Sequence, residues 1–381
     1  MSTDSRPKLA EFFAGGGLAH MGLKDHFDCV FANDFDAMKC AAYRANFPDS
    51  RIDHSDVWTL RPGDLPDVDL AWASFPCQDL SLAGARKGLN APRSGAFWGF
   101  WRQIEALTAD DRAPKTLALE NVAGLISSRG GKDFSALMET LTAAGYRAGA
   151  MLIDAALFSP QSRPRLFIVA HKGKIPAGLS GAPDPVFHPP LLKEAVERLE
   201  PEARLAWVWW RPPNPSARNT RLEDVLERDP PEKSWRKPEH CARLIEMMSP
   251  LHRARFDAAL KDPTWRAGAV YRRMRPEYGR KVQRAEIRYD GLAGCLRTPA
   301  GGSSRQFLLI TENGQARMRP LLAREAARLM GCDESYALPK SETAALKILG
   351  DGVSIPVVRW LGDHLLSPLA GGETARAQDA A

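Results

Sequence analysis

The segment "KLAEFFAGGGLAHMG" (residues 8–22) runs from an apolar stretch through three consecutive glycines into a stretch with helical spacing. This order predicts a strand, a tight loop and a helix, in which the loop backbone can approach a ligand closely and the helix N-terminus points at it. A dinucleotide G-x-G-x-x-G motif that starts at Gly15 needs a glycine at position 20, where His20 stands. The loop therefore indicates a nucleotide-like ligand without the NAD fingerprint, and a purely structural tight turn explains it about equally well.

Residues 8–170 continue this alternation of strand-like and helix-like segments. The predicted strands are "KLAEFFA", "CVFAN", "DLAWAS", "TLALEN", "AMLID" and "RLFIVA", and the predicted helices are "DAMKCAAYRAN", "FWGFWRQIEAL" and "FSALMETLTAAG". Short apolar runs that alternate with helical periodicity are typical of a doubly wound α/β domain with a mostly parallel sheet.

The composition excludes several classes of protein. The 381 residues are 44% hydrophobic and 26% charged, which is ordinary for a globular protein, and no window is apolar enough for a membrane helix. The start "MSTDSRPK" has no apolar core of a secretory signal, so we expect a cytoplasmic location without disulfides. The six cysteines form no C-x-x-C pair and none lies at zinc-finger spacing from a histidine, which predicts no structural metal site.

Positive charge is concentrated in residues 251–290. This stretch holds eleven Lys and Arg against five Asp and Glu, and it is interleaved with aromatic residues that include Trp265, Tyr271, Tyr278 and Tyr289. Such a basic run interleaved with aromatic side chains suits a surface that neutralises phosphates. A solvated arginine-rich face explains the charge equally well.

Polar residues follow several of the predicted strands. Asp34 could accept hydrogen bonds from ribose hydroxyls and Phe35 could stack on an adenine ring, while Asp56 follows the third strand. Because carboxyl ends of parallel strands meet at one sheet edge, these residues predict an adenosyl pocket there. Cys77, in "SFPCQDLSLAG" (74–84), comes where another strand gives way to a loop, although a single cysteine is most often a small buried hydrophobe.

Six motifs, in order, carry a family resemblance. They are "FAGGG", "FPCQDLS", "LENV", "QSRPR", "REAARLMG" and "GDGVSIPVV". In this series the chain resembles the bacterial type of DNA (cytosine-5) methyltransferase. The likeness covers the first 170 residues and roughly the last 60, and it leaves the middle unmatched, as the variable target-recognition region of that family would be.

The resemblance implies a Rossmann-like S-adenosylmethionine-dependent methyltransferase domain with a smaller, irregular target-recognition domain. The implied organisation is a catalytic and cofactor-binding domain over 1–180, a target-recognition domain over 181–315, a C-terminal segment over 316–370 that returns to the catalytic domain, and a disordered tail over 371–381. Double-stranded DNA is the implied substrate, a cognate restriction endonuclease or other phage-defence component is a candidate partner, and a monomer is expected.

The resemblance also implies roles for individual residues. The cofactor-binding set is Phe13, Ala14, Gly15, Gly17, Leu18, Asp34, Phe35, Asp56, Val57, Pro76 and Val353. The catalytic set is Cys77, Glu120, Arg163 and Arg165, with Gln161 in the same polar motif. The DNA-binding set is Gln78, Ser81, Arg297, Ser303, Ser304, Arg305 and Gln306; for the last five, a solvent-facing connector is an almost equally good explanation.

The chemistry of cytosine agrees with these roles. C5 is a weak nucleophile, so a thiolate, here that of Cys77, must first add to C6. Glu120 could hold N3 and the exocyclic amine, and Arg165 the base carbonyl, while Arg163 would support the loop. The target atom lies inside a duplex, so the nucleotide must rotate out into the pocket. Water could remove the C5 proton afterwards.

Three departures and two alternative functions remain. Leu18 stands where a glycine is usual, Asp351 replaces the usual asparagine after Gly350, and Arg93 matches its motif only partly. The same chemistry on tRNA is one alternative, although the long basic insertion and the missing Cys-Phe-Thr signature argue against it. A DNA-binding module with a degenerate site, or an unrelated thiol or nucleotide enzyme, is the other. The intact Cys77 and Glu120 argue against degeneration.

Overall fold

A computed structural model of the chain describes residues 6–76, 95–277, 279–298 and 305–371. The chain divides into two units. The first comprises Met1–Asp154, Pro164–Ser216 and Val353–Ala381, and the second comprises Ala155–Arg163 and Ala217–Gly352. No helix among the described residues is long and apolar enough to cross a membrane.

The first unit is built on a seven-stranded sheet. Its strands are β1 (Lys8–Phe12), β2 (Asp28–Asp34), β3 (Ile52–His54), β4 (Leu70–Ala73), β5 (Thr116–Val122), β6 (Arg147–Asp154) and β7 (Pro164–His171). Their order is β3-β2-β1-β4-β5-β7-β6, and β7 runs antiparallel to both of its neighbours while the other pairs are parallel. All six strands quoted from the sequence are present, and β3, the strand before Asp56, lies at the edge of the sheet.

Helices cover both faces of this sheet. In the first unit they are α1 (Leu18–Leu23), α2 (Ala37–Asn46), α3 (Ala96–Ala109), α4 (Lys132–Ala143), α5 (Pro190–Glu197), α6 (Pro201–Leu205), α11 (Ile355–Leu361) and α12 (Ser367–Leu369). Phe12 and Leu119 of the sheet share one buried core with Trp101 of α3 and Leu137 of α4. On α1, Gly22 allows close approach to α11, since a Cβ there would lie 2.7 Å from Val358. The sequence predicted this two-sided arrangement because fully buried strands are continuous apolar runs.

A tryptophan-containing stretch within residues 181–216 packs on the sheet edge of the first unit. The amide of Val208 donates to the carbonyl of Ala148 in β6 at 2.9 Å, and the indole of Trp210 donates to the carbonyl of Val169 at 3.0 Å. The position of Gly149 requires glycine, because a Cβ there would lie 1.8 Å from the Val208 oxygen. The family resemblance implied that this stretch belongs to the target-recognition domain over 181–315. The structure groups it with the first unit through these backbone contacts.

The second unit contains a four-stranded antiparallel sheet of order β11-β10-β8-β9. Its strands are β8 (Arg266–Glu277), β9 (Arg280–Arg288), β10 (Phe307–Glu312) and β11 (Gln315–Pro320), and its helices are α7 (Pro238–Glu246), α8 (Pro250–Lys261), α9 (Ala323–Met330) and α10 (Glu342–Asp351). Val270, Ile287 and Leu309 pack in one core with Leu244 and Phe256. Within the described residues, β10 pairs with β8 only from Arg266 to Val270, so the rest of β8 forms a two-stranded ribbon with β9.

Candidate active site

The loop between β1 and α1 begins in unusual backbone geometry. Phe13 has a φ of 57° and Gly15 also has a φ of 57°, a region that favours glycine. A Cβ at Gly15 would meet no atom of the described residues within 4 Å, so none of them fills the space in front of this glycine. Gly17 differs, because a Cβ there would lie 2.4 Å from the Phe47 ring. Gly17 therefore serves packing, and Gly15 leaves room for a ligand.

Asp34, at the carboxyl end of β2, holds this loop. Its Oδ2 accepts a hydrogen bond from the amide of Gly15 at 2.9 Å, and its Oδ1 accepts one from the amide of Asp36 at 2.8 Å. Asn33 beside it accepts from the Ala14 amide through its backbone carbonyl and donates through its side chain to the carbonyls of β3 and its loop. The buried carboxylate thus orients the glycine loop, and these bonds use two of its roughly four acceptor positions.

The remaining predicted cofactor residues lie on the same unit with different exposure. Phe35 has 68% of its surface exposed, an unusual position for a large aromatic ring. Asp56 is exposed and accepts a hydrogen bond from the Trp58 amide at 3.0 Å, which starts a short 3-10 turn. Ala14, Leu18, Val57 and Val353 are buried, and Pro76 is exposed.

The end of β4 is tied to the end of β5 by Asn121. The side-chain amide of Asn121 donates to the carbonyl of Phe75 at 3.0 Å, and its oxygen accepts from the Val122 amide at 2.9 Å. This buried asparagine fixes the backbone that leads through Pro76 toward Cys77. Sequence reasoning missed it, although it lies within the quoted "LENV" motif. Cys77, Gln78, Ser81 and Arg93 lie outside the described residues.

Glu120 and Arg165 form an ion pair at the same edge of the sheet. Nε of Arg165 lies 3.1 Å from Oε1 of Glu120, and the two side chains are 14% and 9% exposed. The pair forms because β7 runs antiparallel to β5, so that the start of β7 meets the end of β5. These two predicted catalytic residues are therefore brought together.

Arg163, two residues earlier, has a different environment. It is 1% exposed and donates to the carbonyls of Leu296 at 3.0 Å, Gly350 at 2.9 Å and Gly352 at 2.5 Å. Gln161 is also buried and donates to the carbonyl of Leu329 at 3.1 Å. Both side chains bind backbone of the second unit, and these bonds fit structural support.

The predicted DNA-facing residues differ in their accessibility. Arg297 is exposed, and Arg305 lies 3.6 Å from Glu342 in an ion pair. Gln306 is buried, and its oxygen accepts from the Tyr271 hydroxyl at 2.6 Å and from the Gly294 amide at 3.1 Å. Burial raises the pKa of Tyr271, so this hydroxyl keeps its proton for the bond. The structure thus places Gln306 inside the second unit; Ser303 and Ser304 lie outside the described residues.

Asp351, the departure from the usual asparagine, accepts a hydrogen bond from the Thr298 hydroxyl at 2.7 Å. Its neighbour Gly350 approaches the same segment closely, because a Cβ there would lie 2.7 Å from the backbone carbon of Arg297. Residues 297–298 and 350–351 are therefore held together within the second unit.

Ion pairs organise much of the basic run. All five acidic residues of the 251–290 stretch are ion-paired with arginines; they are Asp257, Asp262, Glu277, Glu286 and Asp290. Glu286 forms ion pairs with two arginines, Arg273 and Arg275, on one face of the ribbon. Arg280 and Lys281 are exposed near the ribbon's end. Because each acid is already paired, exposed cations such as Arg280 and Lys281 give the stretch its net positive charge.

A family model described as "C-5 cytosine-specific DNA methylase" matches residues 8–367. The chain belongs to this family. The predicted family and the predicted enzyme class, a DNA (cytosine-5) methyltransferase, are confirmed. The six motifs and the geometry of the sheet edge thus belong to a DNA cytosine-5 methyltransferase.

Individual relatives of this methyltransferase agree with the family model. It is 26% identical to the Type II methyltransferase M.NlaX of Neisseria lactamica, over 95% of this chain and 97% of that protein. It is 32% identical to the Type II methyltransferase M.BsuFI of Bacillus subtilis over 42% of this chain and 38% of that protein. The crystal structure of the S. pombe Dnmt2 methyltransferase matches with a TM-score of 0.62 and 20% identity, covering 96% of this chain and 99% of that one. This last likeness concerns the fold, and it confirms the predicted α/β class.

Proposed function

We propose that this DNA cytosine-5 methyltransferase uses S-adenosylmethionine and acts on a cytosine turned out of a specific short duplex sequence, through a bond from Cys77 to C6. The observation that carries the proposal is that the ends of β1, β4 and β5 meet at the carboxyl edge of the sheet. The loop held by Asp34 follows β1, and the Glu120–Arg165 pair lies at the end of β5. Strand β4 lies between β1 and β5 and leads directly into "SFPC".

The residues at the first half of this edge fit S-adenosylmethionine. Open space in front of Gly15 admits a ligand against the backbone, and the exposed Phe35 ring offers a face for an adenine. The Asp34 carboxylate can accept further hydrogen bonds, here from the ribose hydroxyls. Asp56, which follows β3 in the chain, is exposed. When bound, S-adenosylmethionine supplies a methyl group on a sulfonium centre.

The second half of the edge suits activation of the base. The Cys77 thiolate forms a bond to C6, and C5 gains the electron density it needs to take the methyl group. Glu120 hydrogen-bonds N3 and the exocyclic amine in this scheme, and Arg165 orients Glu120 while its remaining donors reach the base carbonyl. Loss of the C5 proton to water then re-forms the C5–C6 double bond and expels the thiolate.

Arg163 has a positioning role in this proposal. Its three backbone acceptors include Gly350 and Gly352, so it fixes the turn that precedes Val353. We likewise assign Gln306 to support of the second unit. The exposed Arg297, with Arg305, Ser303 and Ser304, is the candidate for contact with bases, and Gln78 and Ser81 for contact with the DNA strand beside the target nucleotide.

The basic ribbon is the proposed phosphate-binding surface. Its exposed cations lie on β8 and β9 near their turn, and phosphate contacts of this kind position a protein on DNA without reading sequence. We therefore assign target recognition to the second unit, with the C-terminal helices returning to the catalytic unit. The Type II names of the relatives support a place beside a restriction endonuclease, and we expect a cytoplasmic monomer.

The test is base-resolution mapping of 5-methylcytosine in DNA from a bacterial host that lacks cytosine methylation and expresses this protein. Methylation at one short motif, lost in Cys77→Ala and in Glu120→Gln, is the expected result. Purified protein is assayed in parallel with duplex DNA and with tRNA as methyl acceptors. Undiminished methylation by Cys77→Ala would refute the adduct, and transfer to tRNA alone would replace DNA as the substrate.

A further inference from the structure

Three side chains that the proposed reaction does not use lie together beneath the glycine loop. Glu11 is on β1, His20 is on α1 and Cys29 is on β2. A carboxylate oxygen, a ring nitrogen and the sulfur of these residues all lie within 4.8 Å of one another. Glu11 and His20 are only 2% and 7% exposed, and Cys29 is partly buried.

The carboxyl group of Glu11 is incompletely satisfied. Its Oε2 is buried and has no hydrogen-bond partner among the described residues. A buried polar oxygen without a partner costs about 1–3 kcal/mol, so the sequence retains an expensive group at this point. An apolar residue would avoid this cost in the middle of a buried strand.

We propose that Glu11, His20 and Cys29 form a binding site for a divalent transition metal ion, with Zn²⁺ as the best match. Carboxylate oxygen, imidazole nitrogen and thiolate sulfur are the three ligand types that zinc prefers. One thiolate and one carboxylate balance the two positive charges, so the loaded site is neutral, as burial requires. Tetrahedral bonds of about 2.0–2.3 Å bring ligand atoms to about 3.3–3.8 Å from one another. The present separations, which are within 4.8 Å, would therefore contract when an ion binds.

Neighbouring residues already orient two of the three ligands. The Tyr43 hydroxyl lies 2.8 Å from Nδ1 of His20 and 3.5 Å from the Cys29 sulfur. The Phe47 ring stacks on His20 at a centroid distance of 4.0 Å. A hydrogen bond to one ring nitrogen fixes the orientation of a histidine at zinc sites, and here it leaves Nε2 of His20 as the nitrogen for the ion. Three protein ligands leave a fourth position for a water molecule.

The site ties together the elements on either side of the cofactor loop. Glu11 and His20 flank Gly15 and Gly17 in sequence, so a bound ion would link β1 directly to α1. Its role is structural, and it is independent of the proposed methyl transfer because Cys77 is not a ligand. Spacing in the sequence could not reveal it, since each ligand comes from a different element.

The test measures metal content and ligand type in the intact chain. The protein and three variants, Glu11→Gln, Cys29→Ser and Cys40→Ser, are expressed in zinc-supplemented medium, and bound zinc is quantified by mass spectrometry after gel filtration. Cys40 is the matched control, because it is a buried cysteine of the same unit and is not a member of the cluster. We expect about one zinc per chain in the wild type and in Cys40→Ser, and at least a tenfold loss in the other two.

Refolding with Co²⁺ identifies the ligands directly. A thiolate-to-cobalt charge-transfer band and intense visible bands of a tetrahedral site should appear in the wild type and in Cys40→Ser. The charge-transfer band should be absent in Cys29→Ser, and circular dichroism checks that each variant is folded. Metal-free wild type, or equal metal content in all four proteins, would overturn the proposal, whatever the methyltransferase activity.

Discussion

Asp34 and Gly15 are joined by a hydrogen bond of 2.9 Å from the Gly15 amide to a carboxylate oxygen that is buried at the end of β2. The other oxygen of the same carboxylate accepts from the Asp36 amide. One side chain therefore sets the position of the glycine loop and of the turn that presents Phe35. The loop and the turn belong to the half of the sheet edge that we assign to the cofactor.

Replacing Asp34 with Asn should weaken S-adenosylmethionine binding by at least tenfold. An amide has one oxygen, so its NH2 group would face one of the two backbone N–H donors and push it away. Isothermal titration calorimetry measures the effect. Asp36→Asn is the matched control, because asparagine also caps helices well and should keep the bonds to Met38 and Lys39. Wild-type affinity in Asp34→Asn would show that the carboxylate does not set the loop.

Asn121→Asp should lower kcat while leaving S-adenosylmethionine affinity within about twofold. The change keeps the acceptor for the Val122 amide and removes the donor to the Phe75 carbonyl, which then faces a negative oxygen. Buried repulsion of this kind costs about 1–3 kcal/mol and should shift the backbone before Cys77. Single-turnover methylation of duplex DNA measures it. Asn46→Asp removes the same type of bond, to the Ala42 carbonyl, outside the site and should methylate normally.

Arg163→Met should destabilise the second unit by about 3 kcal/mol or more. The variant leaves the carbonyls of Leu296, Gly350 and Gly352 without this donor, and each buried unpaired carbonyl costs about 1–3 kcal/mol. Arg163→Lys should recover only part of the loss, because an ammonium group lacks the planar fork that spans several acceptors. Urea unfolding followed by circular dichroism gives the values. Unchanged stability in Arg163→Met would contradict the positioning role.

The sequence predicted the sheet of the first unit far better than the second unit. Buried parallel strands such as β4 are unbroken apolar runs, and a sequence pattern captures them directly. Strand β8 was not recognised as one long strand, since Arg272, Arg273 and Arg275 mask its alternation. Stabilisation there comes from pairing with β9 and from ion pairs, which local propensity cannot indicate.

Within the site, residue type was more predictable than residue role. Arg163 and Arg165 are two residues apart in one motif and are chemically identical, and only the family resemblance assigned Arg165 to the base carbonyl and Arg163 to support of the loop. The structure gives Arg165 a carboxylate partner and Arg163 backbone partners. Asn121 was overlooked because its importance depends on contacts that only the fold creates. Its side chain bonds the backbone of Phe75, which follows β4, and that of Val122, at the end of β5.

A last prediction concerns the pH dependence of the first unit through His188. This histidine is fully buried; its Nδ1 accepts from the Asp184 amide at 2.8 Å, and its ring contacts Trp209 edge-on. Burial lowers the pKa of His188 to about 4. The positive charges of Lys193 and Arg211 also lower this pKa, whereas Asp184 raises it by favouring the protonated form. The folded state therefore keeps this imidazole neutral, while the unfolded chain protonates it near pH 6.5.

The stability that His188 contributes should thus be fully present above pH 6.5 and be lost as the pH falls from 6.5 toward 4. The slope approaches about 1.4 kcal/mol per pH unit for one proton, which integrates to about 1.6 kcal/mol between pH 6.5 and 5. Burial also lowers the pKa of His171 and of His364, so the measured quantity is the difference between variants. His188→Asn keeps an acceptor near Nδ1 and should flatten the profile by that amount in urea unfolding, whereas exposed His240→Asn should leave it unchanged. Identical profiles for His188→Asn and the wild type would mean that His188 is protonated without cost in the fold.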